Sequence, residues 1–180
     1  MTPRDVLRLL EVAGEKPAGL RLGALVATLY SACPRLGVAL ALDTGDVNLP
    51  AARMTLRGRR AWEVDLDVVT LARISRWLAC RADLGLGPGL LFCTFEGSPL
   101  DASYVRRALP ALGREAGLAS AVSAERLRRA GVVRLIAAGI GDDELQRQLD
   151  HGRAVVTARY RRRLDPTLAV MDAPDAELSI

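Results

Sequence analysis

A chain of 180 residues that is 50% apolar and 26% charged is long enough to bury one real core, which excludes a disordered or fibrous chain. The net charge is +4, and because the last ten residues, MDAPDAELSI, hold three acids and no base, residues 1–170 stand at +7. The three cysteines, Cys33, Cys80 and Cys93, lack C-x-x-C spacing and indicate neither a disulfide framework nor a zinc site, which fits a reducing cytoplasm.

The N-terminus, MTPRDVLRLLEVAG, has charges where a secretory signal needs an apolar run. Thr2 and Pro3 suit the N-cap and first position of a helix that ends at Gly14. A second helix is expected over Leu20 to Cys33 and a third over Leu36 to Leu42. Residues 22–42 are together about as long and apolar as a membrane span, but Pro34 and Arg35 interrupt them, so two buried helices meeting at a corner are expected. Arg35 then lies in an apolar neighbourhood and needs an anionic partner.

RMTLRG and RAWEVDL alternate polar with apolar around Gly58, Arg59 and Arg60, which predicts a small antiparallel hairpin with a basic tip. Asp67 opens a helix that GLGPG ends; no Lys-Ser/Thr follows those glycines and no helix begins there, so they are no phosphate loop. LLFCTF is a short buried segment of undecided type. Further helices are expected over Asp101 to Ala116, Ser123 to Ala138, Asp142 to Leu149 and Ala154 to Arg163. The fold class is mainly α with a small antiparallel β-sheet (α+β).

Nearly all the positive charge is arginine, Lys16 being the only lysine. Codon usage alone produces such a bias, but so does phosphate recognition, because the guanidinium fork pairs with two phosphate oxygens at once. Position decides between them. The order of an apolar helix, YSACPRLGVALAL, a basic hairpin, a helix pair, RLRRAGVVRLIAAGI and LDHGRAVVTARY resembles the catalytic domain of the tyrosine recombinase, or phage integrase, family over about residues 2–165. The resemblance puts Arg35 in the first-arginine place, Arg128 in the arginine place of the family's His-x-x-Arg motif, His151 in the Leu-Gly-His segment, and Tyr160, nine residues on, in the place of the nucleophile. Singly, each is an ordinary residue; their joint spacing carries the resemblance.

What the resemblance implies is cleavage of a DNA phosphodiester by the Tyr160 oxygen, giving a 3′-phosphotyrosyl link and a free 5′-hydroxyl, with no ATP, cofactor or metal. Arg35 and Arg128 neutralise charge on the non-bridging oxygens of the transition state, and His151 hydrogen-bonds the scissile phosphate. Two departures stand out. Arg59 occupies the place of the lysine that protonates the leaving oxygen, and with a pKa above about 12 a guanidinium gives up a proton poorly. Glu125 occupies the histidine place of His-x-x-Arg, where a carboxylate repels phosphate unless it is protonated or salt-bridges a neighbouring arginine; it also reads as an ordinary first-turn helix acid.

The partner implied is double-stranded DNA, bound by a homo-oligomer, dimer or tetramer, with Arg57, Arg60, Arg129, Arg153 and Arg161 on the backbone-contacting surface. The expected domain organisation is a catalytic-like domain over residues 1–165, without an N-terminal core-binding domain, and a tail over residues 166–180 that is either flexible or docked on a neighbouring protomer. The rival reading is a DNA-binding relative of the same fold with weakened catalysis, acting as a regulator or accessory subunit. A hydrolase using Cys33 or a serine with His151 is the third reading, and no acid is placed in sequence to orient that histidine.

Overall fold

The computed structural model describes residues 1–58 and 60–149. The expectations on Arg59, His151, Arg153, Tyr160, Arg161, the helix over 154–163 and the tail fall outside these residues.

Local chemistry sets most helix starts. In α1 (Pro3–Ala13) the Thr2 hydroxyl accepts from the Asp5 amide at 3.2 Å while the Asp5 carboxylate accepts from the Thr2 amide at 2.7 Å, and Gly14 at φ 72° ends the helix. Asp67 caps α4 (Val68–Asp83), Asp101 caps α5 (Ala102–Glu115) and Ser123 caps α6 (Ala124–Ala137), each through a side-chain oxygen on a first-turn amide. Two more helices, α3 (Leu36–Leu40) and α7 (Asp142–Gln148), are short.

The long apolar helix α2 (Pro17–Ser31) begins three residues earlier than expected, because Pro17 is already at its first position. Its buried residues run around most of its circumference, which suits a central element. Helices α1, α4 and α6 pack around it. Leu9, Leu25, Leu29, Trp77 and Phe92 are fully buried there, and the Trp77 indole donates to the Leu91 carbonyl at 2.7 Å. A second, smaller cluster holds Cys33, one side of α6, and Leu145 and Leu149 at α7. Among the described residues no helix is long and apolar enough to cross a membrane. The apolar stretch 22–42 is split between α2 and α3.

The predicted hairpin forms from β2 (Arg53–Arg57) and β3 (Ala61–Asp65), with Met54 opposite Val64 and Leu56 opposite Trp62. Met54, Leu56 and Val64 point into the core. A third strand, β1 (Val47–Asn48), joins the edge of β2 and was not foreseen, since two residues are too few to show alternation. LLFCTF is neither helix nor strand: it is held by single bridges, Leu90 to Asp43 and Cys93 to Pro99, with Leu91, Phe92 and Cys93 buried.

Candidate phosphate-binding site

The C-terminus of a helix leaves carbonyls without intrahelical partners. At the end of α2 the chain turns through Ala32, Cys33, at φ 54°, and Pro34 before α3 begins. Two carbonyls of this turn, those of Ser31 and Cys33, accept from arginines of α6. Arg134 donates from Nη2 to the Ser31 carbonyl at 3.2 Å, and Arg128 donates from Nε to the Cys33 carbonyl at 2.9 Å. Between them on the same stripe of α6, Gly131 lets the helices touch: a Cβ there would lie 1.9 Å from the Tyr30 carbonyl oxygen and 2.6 Å from the Cys33 sulfur.

Arg35 is the N-cap of α3 and is exposed. This corrects the expectation of an arginine lying among apolar groups, since the turn carries its side chain out of the apolar layer; no carboxylate pairs with it among the described residues. Arg128, by contrast, is 6% exposed. Its Nη2 donates to the Leu149 carbonyl at 3.3 Å. One guanidinium thus holds the chain two residues before Arg35 and two residues before His151. Both partners are neutral carbonyls, and among the described residues no carboxylate pairs with Arg128. A buried cation so placed attracts an anion.

Glu125 is exposed in the first turn of α6, one turn before Arg128, and forms no ion pair among the described residues. The helix-acid reading describes it. Of the expected DNA-facing arginines, Arg60 is exposed at the hairpin tip and Arg129 is exposed on α6. Arg57 is engaged by its own fold: its Nε lies 2.7 Å from the carboxylate of Asp46, whose side chain is buried. The hairpin packs beside α3 and α7, next to the elements that carry Arg35 and lead to His151.

Burial pushes the Cys33 thiol up to about 12, against the smaller pull of Arg134 and Arg128. A thiol so protonated and enclosed is no nucleophile at neutral pH, which removes the Cys33 hydrolase reading. Sequence reasoning also missed two buried arginines. Arg81 donates to the carbonyls of Leu90 and Gly87 and to the Cys93 sulfur; Arg21 donates to the Cys93 carbonyl at 2.7 Å and lies over the rings of Phe95 and Tyr104. They fasten the irregular 87–95 segment. Arg134 was missed as well, and its spacing of six from Arg128 was the signal available.

A central apolar helix ringed by helices, a small antiparallel sheet beside it, and arginines gathered at that helix's end define the catalytic-domain fold of tyrosine recombinases. The chain belongs to the phage integrase family, whose family model matches residues 1–166. It is similar to the tyrosine recombinase XerC of Haemophilus ducreyi, 28% identical over 155 residues that are 85% of this chain and 51% of the relative. Its fold is that of the XerA recombinase crystal structure, with a TM-score of 0.84 at 22% identity over 99% of this chain and 64% of that one. It is also that of the XerH site-specific recombinase bound to its difH substrate before cleavage, with a TM-score of 0.75 at 20% identity over 96% and 52%. The chain spans about half the length of the curated relatives it matches.

Proposed function

We propose that this chain cleaves and rejoins double-stranded DNA through a 3′-phosphotyrosyl intermediate on Tyr160. The observation that carries the reading is the buried guanidinium of Arg128, which ties the turn presenting Arg35 to the end of α7 and pairs with no carboxylate among the described residues. In the reaction the Tyr160 oxygen bonds to phosphorus and its proton leaves, the bond to the 5′-oxygen breaks, and that oxygen takes up a proton. The link keeps the energy of the phosphodiester, so rejoining needs no nucleotide. Arg35 and Arg128 stabilise charge gathering on the non-bridging oxygens, and His151 orients the phosphate. Each tyrosine holds one strand end, so exchange between two strands needs at least two copies; a homo-oligomer on DNA belongs to the proposal.

A second reading, a DNA-binding relative with weakened catalysis, is favoured by Arg59 in the leaving-group place and by Glu125, exposed and unpaired among the described residues. One experiment separates them. A nicked duplex that loses its leaving strand traps any covalent protein–DNA adduct. An adduct in the wild type that is absent in Tyr160→Phe, with duplex affinity unchanged, is the expected result. An adduct that persists in Tyr160→Phe removes Tyr160 as nucleophile; no adduct in the wild type favours the second reading.

A further inference from the structure

The turn that presents Arg35 is held from two sides, and only one of them involves a residue of the proposed site. On the second side stands Ser31, the last residue of α2. Its hydroxyl donates to Oδ2 of Asp67 at 2.6 Å, and its carbonyl accepts from Arg134 at 3.2 Å. The other oxygen of Asp67, Oδ1, accepts from the Thr70 amide at 2.8 Å, capping α4. The Arg134 guanidinium also lies 5.4 Å from the centre of the Tyr30 ring, a cation–π distance.

Three elements therefore meet at one serine. Asp67 stands two residues after the end of β3, so it carries the position of the hairpin; Arg134 carries the position of α6, two turns beyond Arg128; Ser31 carries the end of α2, four residues before Arg35. The three side chains share the wall of a cleft of about 510 Å³ between the sheet, α6 and α7. We propose that Ser31, Asp67 and Arg134 are positioning residues, a junction that fixes the 32–36 turn, and with it Arg35, in register with the hairpin and with Arg128. The functional part of this inference rests on the strand-cleavage reading; the conformational part does not.

The junction predicts a pattern that general loss of stability does not. Ser31→Ala, Asp67→Ala and Arg134→Leu should slow single-turnover adduct formation on the nicked duplex by roughly ten- to a hundredfold, the scale of a misplacement of about 1 Å, with duplex affinity held within about twofold. Arg134→Lys retains a donor for the Ser31 carbonyl and should recover most of the rate. A duplex whose scissile phosphate is a neutral methylphosphonate needs less cationic stabilisation, so the deficits should shrink on it, as they should for Arg35→Ala. Equal deficits on both substrates mean that the junction does not act through Arg35, and overturn the functional part.

Hydrogen exchange on the same proteins tests the junction whether or not the wild type cleaves. Peptides covering residues 30–42 should exchange about tenfold faster in Ser31→Ala and Asp67→Ala, with α1 and α5 peptides unchanged. Unchanged exchange in 30–42 overturns the junction itself. A wild type that forms no adduct, together with faster exchange in 30–42, sinks the cleavage reading and leaves the junction standing. Should Arg134→Leu unfold, Ser31→Ala, which removes one hydroxyl, still decides the matter.

Discussion

Nε of Arg128 donates to the carbonyl of Cys33 at 2.9 Å, joining residues 95 apart in the chain, while Arg35, two residues further on, is exposed at the surface. The two arginines assigned to one phosphate are therefore unlike in their cost to the fold. Arg35→Ala should change unfolding free energy by no more than about 0.5 kcal/mol, as exposed substitutions do, while slowing adduct formation on the order of a hundred- to a thousandfold. Arg128→Ala leaves the carbonyls of Cys33 and Leu149 without their donor, at about 1–3 kcal/mol each where they are buried, so it should lose stability as well as rate. Urea unfolding beside the adduct assay reads both. Equal stability losses would mean that Arg128 does not hold the turn.

Gly131 allows α6 to meet the end of α2, and a Cβ there has no room against the Tyr30 carbonyl. Gly131→Ala should destabilise by about 2–3 kcal/mol, the upper part of the range for overpacking, because backbone rather than a side chain must yield. Gly37, in α3, has nothing within 4 Å of the same added atom, so Gly37→Ala should stabilise by about 0.5–1 kcal/mol. Denaturant midpoints of the two variants should move in opposite directions.

Burial alone would raise the Asp67 carboxyl, but the Ser31 hydroxyl, the Thr70 amide and the charge of Arg134 outweigh it and hold the group below its ordinary value of 3.8. A carboxyl whose folded value is depressed stabilises the fold above the unfolded value, and that contribution disappears as pH falls through the folded one. Asp67→Asn should therefore be less stable than wild type at pH 6, with the gap narrowing once pH drops below about 4. Thermal melts of the two proteins across pH 6 to 2.5 check the sign; a gap that widens in acid contradicts it.

Arg59→Lys should raise cleavage on natural DNA. The leaving 5′-oxygen needs a proton, an ammonium of pKa near about 10.4 supplies one, and guanidinium does so much less readily. Replacing that oxygen with sulfur makes a leaving group that needs little protonation, so wild type and Arg59→Lys should converge on the sulfur substrate. A difference as large there as on natural DNA would take Arg59 away from the leaving group. Adding Glu125→His should act more than additively with Arg59→Lys if both flank one phosphate.

What the sequence by itself determined was whatever neighbours in the chain decide among themselves. Thr2 and Asp5, Asp67 and Thr70, and Ser123 and Arg126 are each three residues apart, and helix starts follow from such pairs. The hairpin was legible because alternation over five residues a strand marks a sheet with one buried face; the two-residue β1 was not, since its pairing depends on β2 already being in place. The spacing of Arg35, Arg128, His151 and Tyr160 carried the family. Tertiary structure alone decided which arginines are buried and what they hold, because a guanidinium is bought out of water by carbonyls that packing brings to it. Arg21 finds Cys93 across 72 residues, Arg128 finds Cys33 across 95, and Arg134 finds Ser31 across 103. The opposite fate of Arg35, predicted inside and found at the surface, has the same cause: the turn at Cys33 aims it outward, and Arg128 and Gly131, from a distant helix, hold that turn.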